Sequence, residues 1–389
     1  MESIPEFVNA ELLTEALNSS VTEIEVKPAL GRGENYLSRL YRIRINYASN
    51  PVEKLPETVI VKLLPVGYLE TFVNENGMLE KEIKMYTDYL PLVKLHLGRN
   101  LAPESFKVTR KDMLMLEDLS LDGYKMKDRI LRLDRYHAEA AVKILAEFHS
   151  TSIFLREKNS EILEEVSKES QFHNETPTER DFIVNRFNMF MIELRKYPHL
   201  KKYADLFHDT LGADMWSRFM EEMRRDCKWL KVLNHGDFWT NNILFKHDGD
   251  GKILDLKLVD FQFTRFVSPA MDLQLFFVTS LSDRSDIGHL TETYRVTLNS
   301  KLPSTITPLG RAHIQAELDR FETFGFIVAA CFLPGAVINR QQIINYDDTT
   351  EEQFSSGAEE SPHNFMYRDA TYLSMIEPLL MHYHGRGLL

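Results

Sequence analysis

Asp237, Asn242 and Asp260 are the side chains in this sequence whose types and spacing could do chemistry together. They sit in one stretch, Leu233 to Phe263, LNHGDFWTNNILFKHDGDGKILDLKLVDFQF. It reads as a strand, a polar loop carrying Asp237 and Asn242, a second strand, a turn at His247 to Lys252, and a third strand ending in Asp260. Ile243, Leu244 and Phe245 form a short apolar run. Leu256, Leu258 and Val259 return the chain to the core and deliver Asp260 to the same edge. A carboxylate, a carboxamide and a second carboxylate are then expected in one small volume. Phosphoryl transfer to a hydroxyl uses such a set: one Asp orients the hydroxyl and takes its proton, while an Asn and another Asp hold Mg2+ against the phosphates. A polar hairpin whose side chains only satisfy turn backbone accounts for one Asp, not for this ordered set.

The run His235-Gly-Asp237-Phe-Trp-Thr-Asn-Asn242, followed by Asp260-Phe-Gln, resembles the catalytic and metal-binding segments of aminoglycoside phosphotransferases and choline kinases. Its wording is most similar to the ecdysteroid kinase-like (CHK kinase-like) family of insects, over nearly the whole chain. The resemblance implies a two-lobed, protein-kinase-like fold, ATP and Mg2+ as cofactors, Asp237 as the catalytic base, and Asn242 and Asp260 as metal ligands. His235 is expected to pack under the loop. Protein kinases carry Arg before the catalytic Asp, where this chain has Gly236, and Asp-Phe-Gly where it has Asp260-Phe-Gln. Few residues separate that motif from Ser268-Pro269, too few for a peptide-binding segment. A small alcohol in a pocket is the expected acceptor, and the resemblance implies an ecdysteroid or another hydrophobic alcohol, xenobiotics included. Phe238 and Trp239 are candidates to line that pocket, although each also reads as plain core.

The elements that must position these groups begin with a helix opened by Ser3-Ile-Pro5-Glu6 in capping-box spacing, with Phe7, Val8, Leu12, Leu13 and Leu17 along one stripe. Ile24 and Val26 mark one strand; Tyr41, Ile43, Ile45 and Tyr47 alternate along another. Between them, the glycine-containing segment with Gly31, Gly33, Asn35 and Ser38 could bring backbone N–H groups to phosphate oxygens, or be an ordinary turn. Thr58 to Leu64 is an apolar strand interrupted by Lys62, and a buried lysine is costly unless paired. In nucleotide-binding kinases a lysine so placed meets the α- and β-phosphates and is steadied by a glutamate on the next helix. Here that helix is expected from Gly77 to Tyr89, with Glu82 as partner and Glu80 as fallback. Phe106, Val108 and Met113 to Leu116 form a last hairpin. Glu117-Asp118-Leu119 follows, an acidic linker that the resemblance makes the adenine-contacting hinge, through Glu117 and Leu119.

Beyond it the pattern turns helical. Asp134 caps a helix to about Ser150 whose His149 reads as core. Glu161 to Arg180 reads as a polar excursion. Helices are expected over 181–195, 200–230, 273–281, 286–299, 308–332 and 364–384, with an acidic loop over 346–360. Asp272 reads as a helix cap or, by the resemblance, as the acid bracing the catalytic loop. The parse is α+β: an N-terminal antiparallel sheet lobe over 1–118 that binds nucleotide, and a larger, mostly helical lobe over 119–389 for catalysis and substrate, with the site in the cleft.

Composition bounds the partners. The chain has 389 residues, 43% apolar and 11% aromatic, which suits a sizeable core. Lys and Arg number 46 against 58 Asp and Glu, a formal charge of -12, which argues against nucleic acid or a polybasic membrane anchor. Two cysteines, Cys227 and Cys331, and an acidic N-terminus fit a cytoplasmic protein with no disulfide framework. The apolar run from Phe324 to Val337 contains Pro334 and Gly335 and reads as a core helix. A catalytically inactive kinase-fold protein holding a lipophilic ligand is the alternative; the retention of Lys62, Asp237, Asn242 and Asp260 argues against it.

Overall fold

Alternation of apolar residues along three strands builds the sheet that presents Lys62. A computed structural model describes residues 4–30, 37–48, 55–172, 176–210, 214–339 and 364–388. Strands β1 (Val21–Pro28), β2 (Arg39–Tyr47), β3 (Thr58–Leu63), β4 (Ser105–Phe106) and β5 (Met113–Glu117) form one sheet in the order β1-β2-β3-β5-β4. Every pairing in it is antiparallel. Tyr41, Ile43, Ile45, Val59, Val61, Leu63, Met113 and Met115 share one face. That face buries Leu13 and Leu17 of helix α1 (Ala10–Leu17). Lys62, between Val61 and Leu63, therefore points to the other face, level with Leu40 and Leu114.

Helix α1 begins later than the Ser3–Glu6 pattern suggests. The Asn9 side chain accepts from the Leu12 N–H at 3.1 Å and sets the first turn; Ser3 lies outside the described residues. A helix absent from the sequence reading, α2 (Tyr68–Glu75), precedes α3 (Met78–Lys84). From α3 the chain continues through a π-helical turn, Met85–Tyr89, into α4 (Leu90–Leu97). Strand β6 (Tyr124–Met126) follows Glu117-Asp118-Leu119.

The helical part opens with α5 (Arg135–Lys158), which runs well past Ser150. The Asp134 carboxylate accepts from the His137 N–H at 2.9 Å and caps it, as expected. Much of the expected excursion is helical: α6 (Ser160–Ser167) lies in it, and α7 (Pro177–Lys196) starts there behind a Thr176–Glu179 capping box. The helix expected over 200–230 is two, α8 (Pro198–Thr210) and α9 (Met215–Met223). Next come β7 (Val232–Asn234), a 3-10 turn at Thr240–Asn242, β8 (Ile243–His247), β9 (Ile253–Leu258) and β10 (Arg265–Val267). β7 pairs with β10, Leu233 opposite Phe266, while β8 joins a separate sheet in the order β6-β8-β9.

Helices α10 (Ala270–Thr279) and α11 (Ile287–Lys301) lie close to their expected positions. The span 308–332 breaks at Phe321 into α12 (Arg311–Arg320) and α13 (Glu322–Ile327). A π-helical turn, Val328–Phe332, leads on to α14 (Leu333–Val337). The last helix breaks at Asp369 into α15 (Phe365–Arg368) and α16 (Ala370–Gly385), because the Asp369 carboxylate accepts from the Thr371 N–H at 2.8 Å and starts a new N-terminus. The acidic loop over 346–360 lies outside the described residues.

Two compact units result. The first takes Met1–Lys125 and then Leu244–Gln262; the second takes Met126–Ile243 and most of the chain from Phe263 onward. The first carries the antiparallel sheet and the second is mostly helical, so the α+β class expected from the sequence is the one observed. Among the described residues no single helix is long and apolar enough to cross a membrane; α12 with the helix from Glu322 to Val337 passes that test only as a pair bent by 49°.

Candidate active site

In the first unit Lys62 is 5% exposed, and its ammonium is held between two carboxylates. Nζ donates to Asp260 Oδ1 at 2.6 Å and forms an ion pair with Glu82 Oε2, also at 2.6 Å. The partner is Glu82, as the helix spacing suggests, and not Glu80, which is exposed. Burial by itself would push the Lys62 ammonium down, but Asp260 and then Glu82 outweigh it and its pKa is raised. Burial pushes the Glu82 carboxyl up against the pull of Lys62, with the Asp260 charge adding to the rise. Tyr86 lies one helical turn beyond Glu82, and its ring meets the Phe261 ring edge-on at 5.7 Å. One side of a helix thus holds both the lysine and the residue after Asp260. Asp260 itself adopts a left-handed backbone, φ 70, which Asp tolerates better than branched residues do.

In the second unit the loop after β7 carries Asp237. Asn242 Nδ2 donates to the Asp237 backbone oxygen and to Oδ2, each at 2.8 Å. The Asp272 carboxylate accepts from the backbone N–H groups of His235 at 2.6 Å and Gly236 at 2.9 Å. Asn234 returns the bond: its Oδ1 accepts from the Asp272 N–H at 3.1 Å. The Thr240 N–H donates to Ser280 Oγ at 3.0 Å, and the Leu233 N–H to Ser152 Oγ at 2.9 Å. The loop is therefore fastened from α5, from α10 and from the residue that ends α10. His235 is fully buried beneath it. Its Nδ1 accepts from the Asp237 N–H at 3.4 Å, a long bond.

Gly236 has a positive reason to be glycine. Its φ is 82, and a Cβ there would lie 1.9 Å from the Phe263 carbonyl oxygen. No side chain fits between the loop and the strand end. Phe238 is fully buried, with its ring 5.1 Å from that of Phe276; Trp239 is half-buried.

The other expected contacts divide by place. Gly31, Gly33 and Asn35 lie outside the described residues, and Ser38 is half-buried just before β2. Glu117 ends β5 and its Oε2 accepts from the Glu104 N–H at 3.2 Å. The buried Leu119 gives its carbonyl to the Asp122 and Tyr124 N–H groups, each at 3.2 Å. Sequence reasoning passed over Asn234, Ser152, Ser280 and Tyr294. Nothing marks a serine or asparagine as a loop anchor until its long-range partner is known.

Each unit carries one oxygen donor, Asn242 in the second and Asp260 in the first. The Asn242 amide nitrogen is committed to Asp237, which turns its oxygen away from that carboxylate, and Asp260 spends Oδ1 on Lys62, leaving Oδ2. Both are hard oxygens, the kind Mg2+ selects. Among the described residues no group of three or more His, Cys, Asp or Glu could hold a metal by itself. Mg2+ bound through one or two side chains plus phosphates requires no such cage.

The ecdysteroid kinase-like family matches residues 32–303 of the chain. No curated protein sequence matches it significantly. Among solved structures it is similar to a choline kinase from Cryptosporidium parvum Iowa II, at 14% identity over 92% of this chain and 90% of that one, with a TM-score of 0.48. It is also similar to a Plasmodium vivax ethanolamine kinase, at 13% identity over 92% and 83% of the two chains, with a TM-score of 0.47. An aminoglycoside phosphotransferase from Alicyclobacillus acidocaldarius shares 10% identity over 97% of each chain, with a TM-score of 0.39.

Proposed function

Because the chain belongs to the ecdysteroid kinase-like family, we propose that it is a small-molecule kinase, transferring the γ-phosphoryl group of ATP to a hydroxyl of an ecdysteroid or another hydrophobic alcohol. The observation that carries this reading is Lys62, buried in a strand with Glu82 on one side and Asp260 on the other. A buried ammonium between two carboxylates is expensive as plain architecture. It makes sense where a cation must be held ready for phosphate oxygens.

In this reading Lys62, steadied by Glu82, positions the α- and β-phosphates. Asp237 orients the acceptor hydroxyl and takes its proton, a contribution of about a hundred- to ten-thousandfold for a placed base. Asn242 and Asp260 hold Mg2+, which supplies charge neutralisation to the phosphates when bound. The segment with Gly31, Gly33, Asn35 and Ser38 covers the phosphates, and the backbone at Glu117 and Leu119 meets the adenine edge. Residues 1–118 form the nucleotide lobe and 119–389 the catalytic and substrate lobe. Trp239 contributes to the wall against the acceptor.

The test is ADP release with Mg-ATP and a panel of ecdysteroids and sterol-like alcohols. Asp237→Asn is expected to keep nucleotide binding and to lose turnover by at least about a hundredfold. A fully active variant would remove Asp237 from the role of base. Thermal stabilisation by an alcohol, with no ADP released and no response to Mg-ATP, would favour the inactive lipophilic-ligand protein.

A further inference from the structure

Behind the Asp237 loop lies a buried polar chain that the proposed chemistry does not use. It starts at Tyr294 on α11. The Tyr294 hydroxyl and His149 Nδ1 are 2.7 Å apart, and His149 Nε2 is 3.0 Å from Asp272 Oδ2. Asp272 in turn accepts from the His235 and Gly236 N–H groups. Tyr294 and His149 are 0% exposed and Asp272 is 1% exposed. Bulk solvent does not reach such a chain, so its donors and acceptors must be matched to one another.

The assignment follows from what each group can give. Burial, the Asp272 charge and the nearby Cys227 raise the Tyr294 phenol well above its ordinary value, so it keeps its proton and donates. His149 Nδ1 is then the acceptor, and the ring proton sits on Nε2, where it donates to Asp272. Were the proton on Nδ1 instead, the hydroxyl could accept it, but Nε2 would bring a lone pair against a carboxylate lone pair. The acceptor-only carboxylate thus fixes the tautomer, and the hydroxyl on α11 supplies the donor that the bare Nδ1 then needs.

We propose that Tyr294 is a positioning residue for the Asp237 loop, acting by holding the His149 ring and, through it, the aim of the Asp272 carboxylate. Its reach is long in sequence: the Tyr294–His149 pair is 145 residues apart, and the His149–Asp272 pair 123. A tyrosine that only filled core would lose nothing when its hydroxyl was replaced by hydrogen. This one would leave a buried imidazole nitrogen without a donor and loosen the ring that holds Asp272. The consequence for turnover rests on the kinase reading; the consequence for the loop does not.

The experiment uses the full chain. In the native protein, 15N spectra of His149 are expected to show Nε2 protonated and Nδ1 as a hydrogen-bonded acceptor; a proton on Nδ1 overturns the proposal. Tyr294→Phe is expected to speed amide exchange at His235 and Gly236 at least about tenfold, the shift that loss of one buried hydrogen bond produces. Leu200→Ala on α8, a helix packed chiefly on α7 and the last helix, lowers overall stability at a distance from the chain, and equal exchange in the two variants also overturns it. His149→Gln supplies its own N–H to Asp272 and does not need Tyr294. In that background Tyr294→Phe is expected to leave the loop amides unchanged; the same acceleration in both backgrounds would mean packing alone. Should Tyr294→Phe fail to fold by itself, its recovery in the His149→Gln background supports the relay, and failure there too refutes it. Where turnover is measurable, kcat falls and KM for ATP stays. If no alcohol is ever phosphorylated, the kinase reading fails, while the exchange and tautomer results still decide this one.

Discussion

Asp118 accepts five hydrogen bonds inside the first unit. Arg42 Nε and Nη2 donate at 2.7 and 3.4 Å, Thr58 Oγ1 at 2.8 Å, and the Ser120 N–H and Oγ at 3.1 and 2.7 Å. Burial raises its pKa, but Ser120, Arg42 and Thr58 outweigh burial and the net direction is down from 3.8. A carboxyl whose folded pKa lies below its unfolded one stabilises the fold fully above the unfolded value, and loses that stabilisation as pH falls through the folded one. Asp118→Asn is therefore expected to cost about 1–2 kcal/mol at neutral pH, the range for hydrogen bonds to a charged group discounted for the partly exposed Arg42. The difference should shrink once pH falls below 3.8. Urea melts at the two pH values check this, and a gap that persisted in acid would deny the charge its role. In the sequence Asp118 is only the middle letter of an acidic linker, because a carboxylate's donors from β2 and β3 leave no local trace. Lys62 was legible for the opposite reason: a lone cation in an apolar strand advertises that something must pair with it. Gly236 was noticed for the arginine it replaces, but its cause, the Phe263 carbonyl, lies beyond the next hairpin.

Periodicity made the elements of the first sheet readable, since period two fixes which residues share a face whatever the partner strand. It does not say which strand lies alongside. The hairpin turn at His247 to Lys252 made β8 and β9 neighbours in advance, but the β7–β10 pair and the place of β6 beside β8 came only with the structure. Helix limits failed where a side-chain cap intervened, Asn9 before α1 and Asp369 before α16, because several residues in each region could have served. The strand that leads to Asp260 shows how far an element depends on distant anchors. Lys257 Nζ donates to the Asn100 carbonyl at 2.7 Å and to Asp255 Oδ2 at 2.6 Å. Asp255 also takes the Tyr124 hydroxyl at 2.7 Å, and the Leu258 N–H donates to the Leu101 carbonyl at 2.7 Å. β9 is thereby stitched to the loop after α4, two residues before Asp260. Lys257→Met should lower stability by about 1–3 kcal/mol, for a buried carbonyl left without its donor, and should speed exchange at the Leu258 amide. Lys252→Met, on the exposed turn, should do neither. An unchanged Leu258 amide in Lys257→Met would show that backbone pairing alone holds the strand.

At the scale of the whole molecule, neither unit is continuous in sequence. The first unit closes only when Leu244–Gln262 comes back to Met1–Lys125. The bond from Lys62 to Asp260 spans 198 residues of sequence. Loop closure over such distances is slow and is rewarded late. The returning segment brings β8 and β9, partners of β6, and the carboxylate that balances a buried lysine. A chain of residues 1–125 keeps the five-stranded sheet and the Lys62–Glu82 pair but lacks all three of these. It is expected to melt without a cooperative transition and to expose the apolar surface that β8 and β9 cover. Circular dichroism in the near ultraviolet and dye binding would show this. A sharp, two-state melt of the 1–125 chain would mean that the sheet lobe is self-sufficient. The return of Leu244–Gln262 would then serve to carry Asp260 to Lys62, and the fold would not need it.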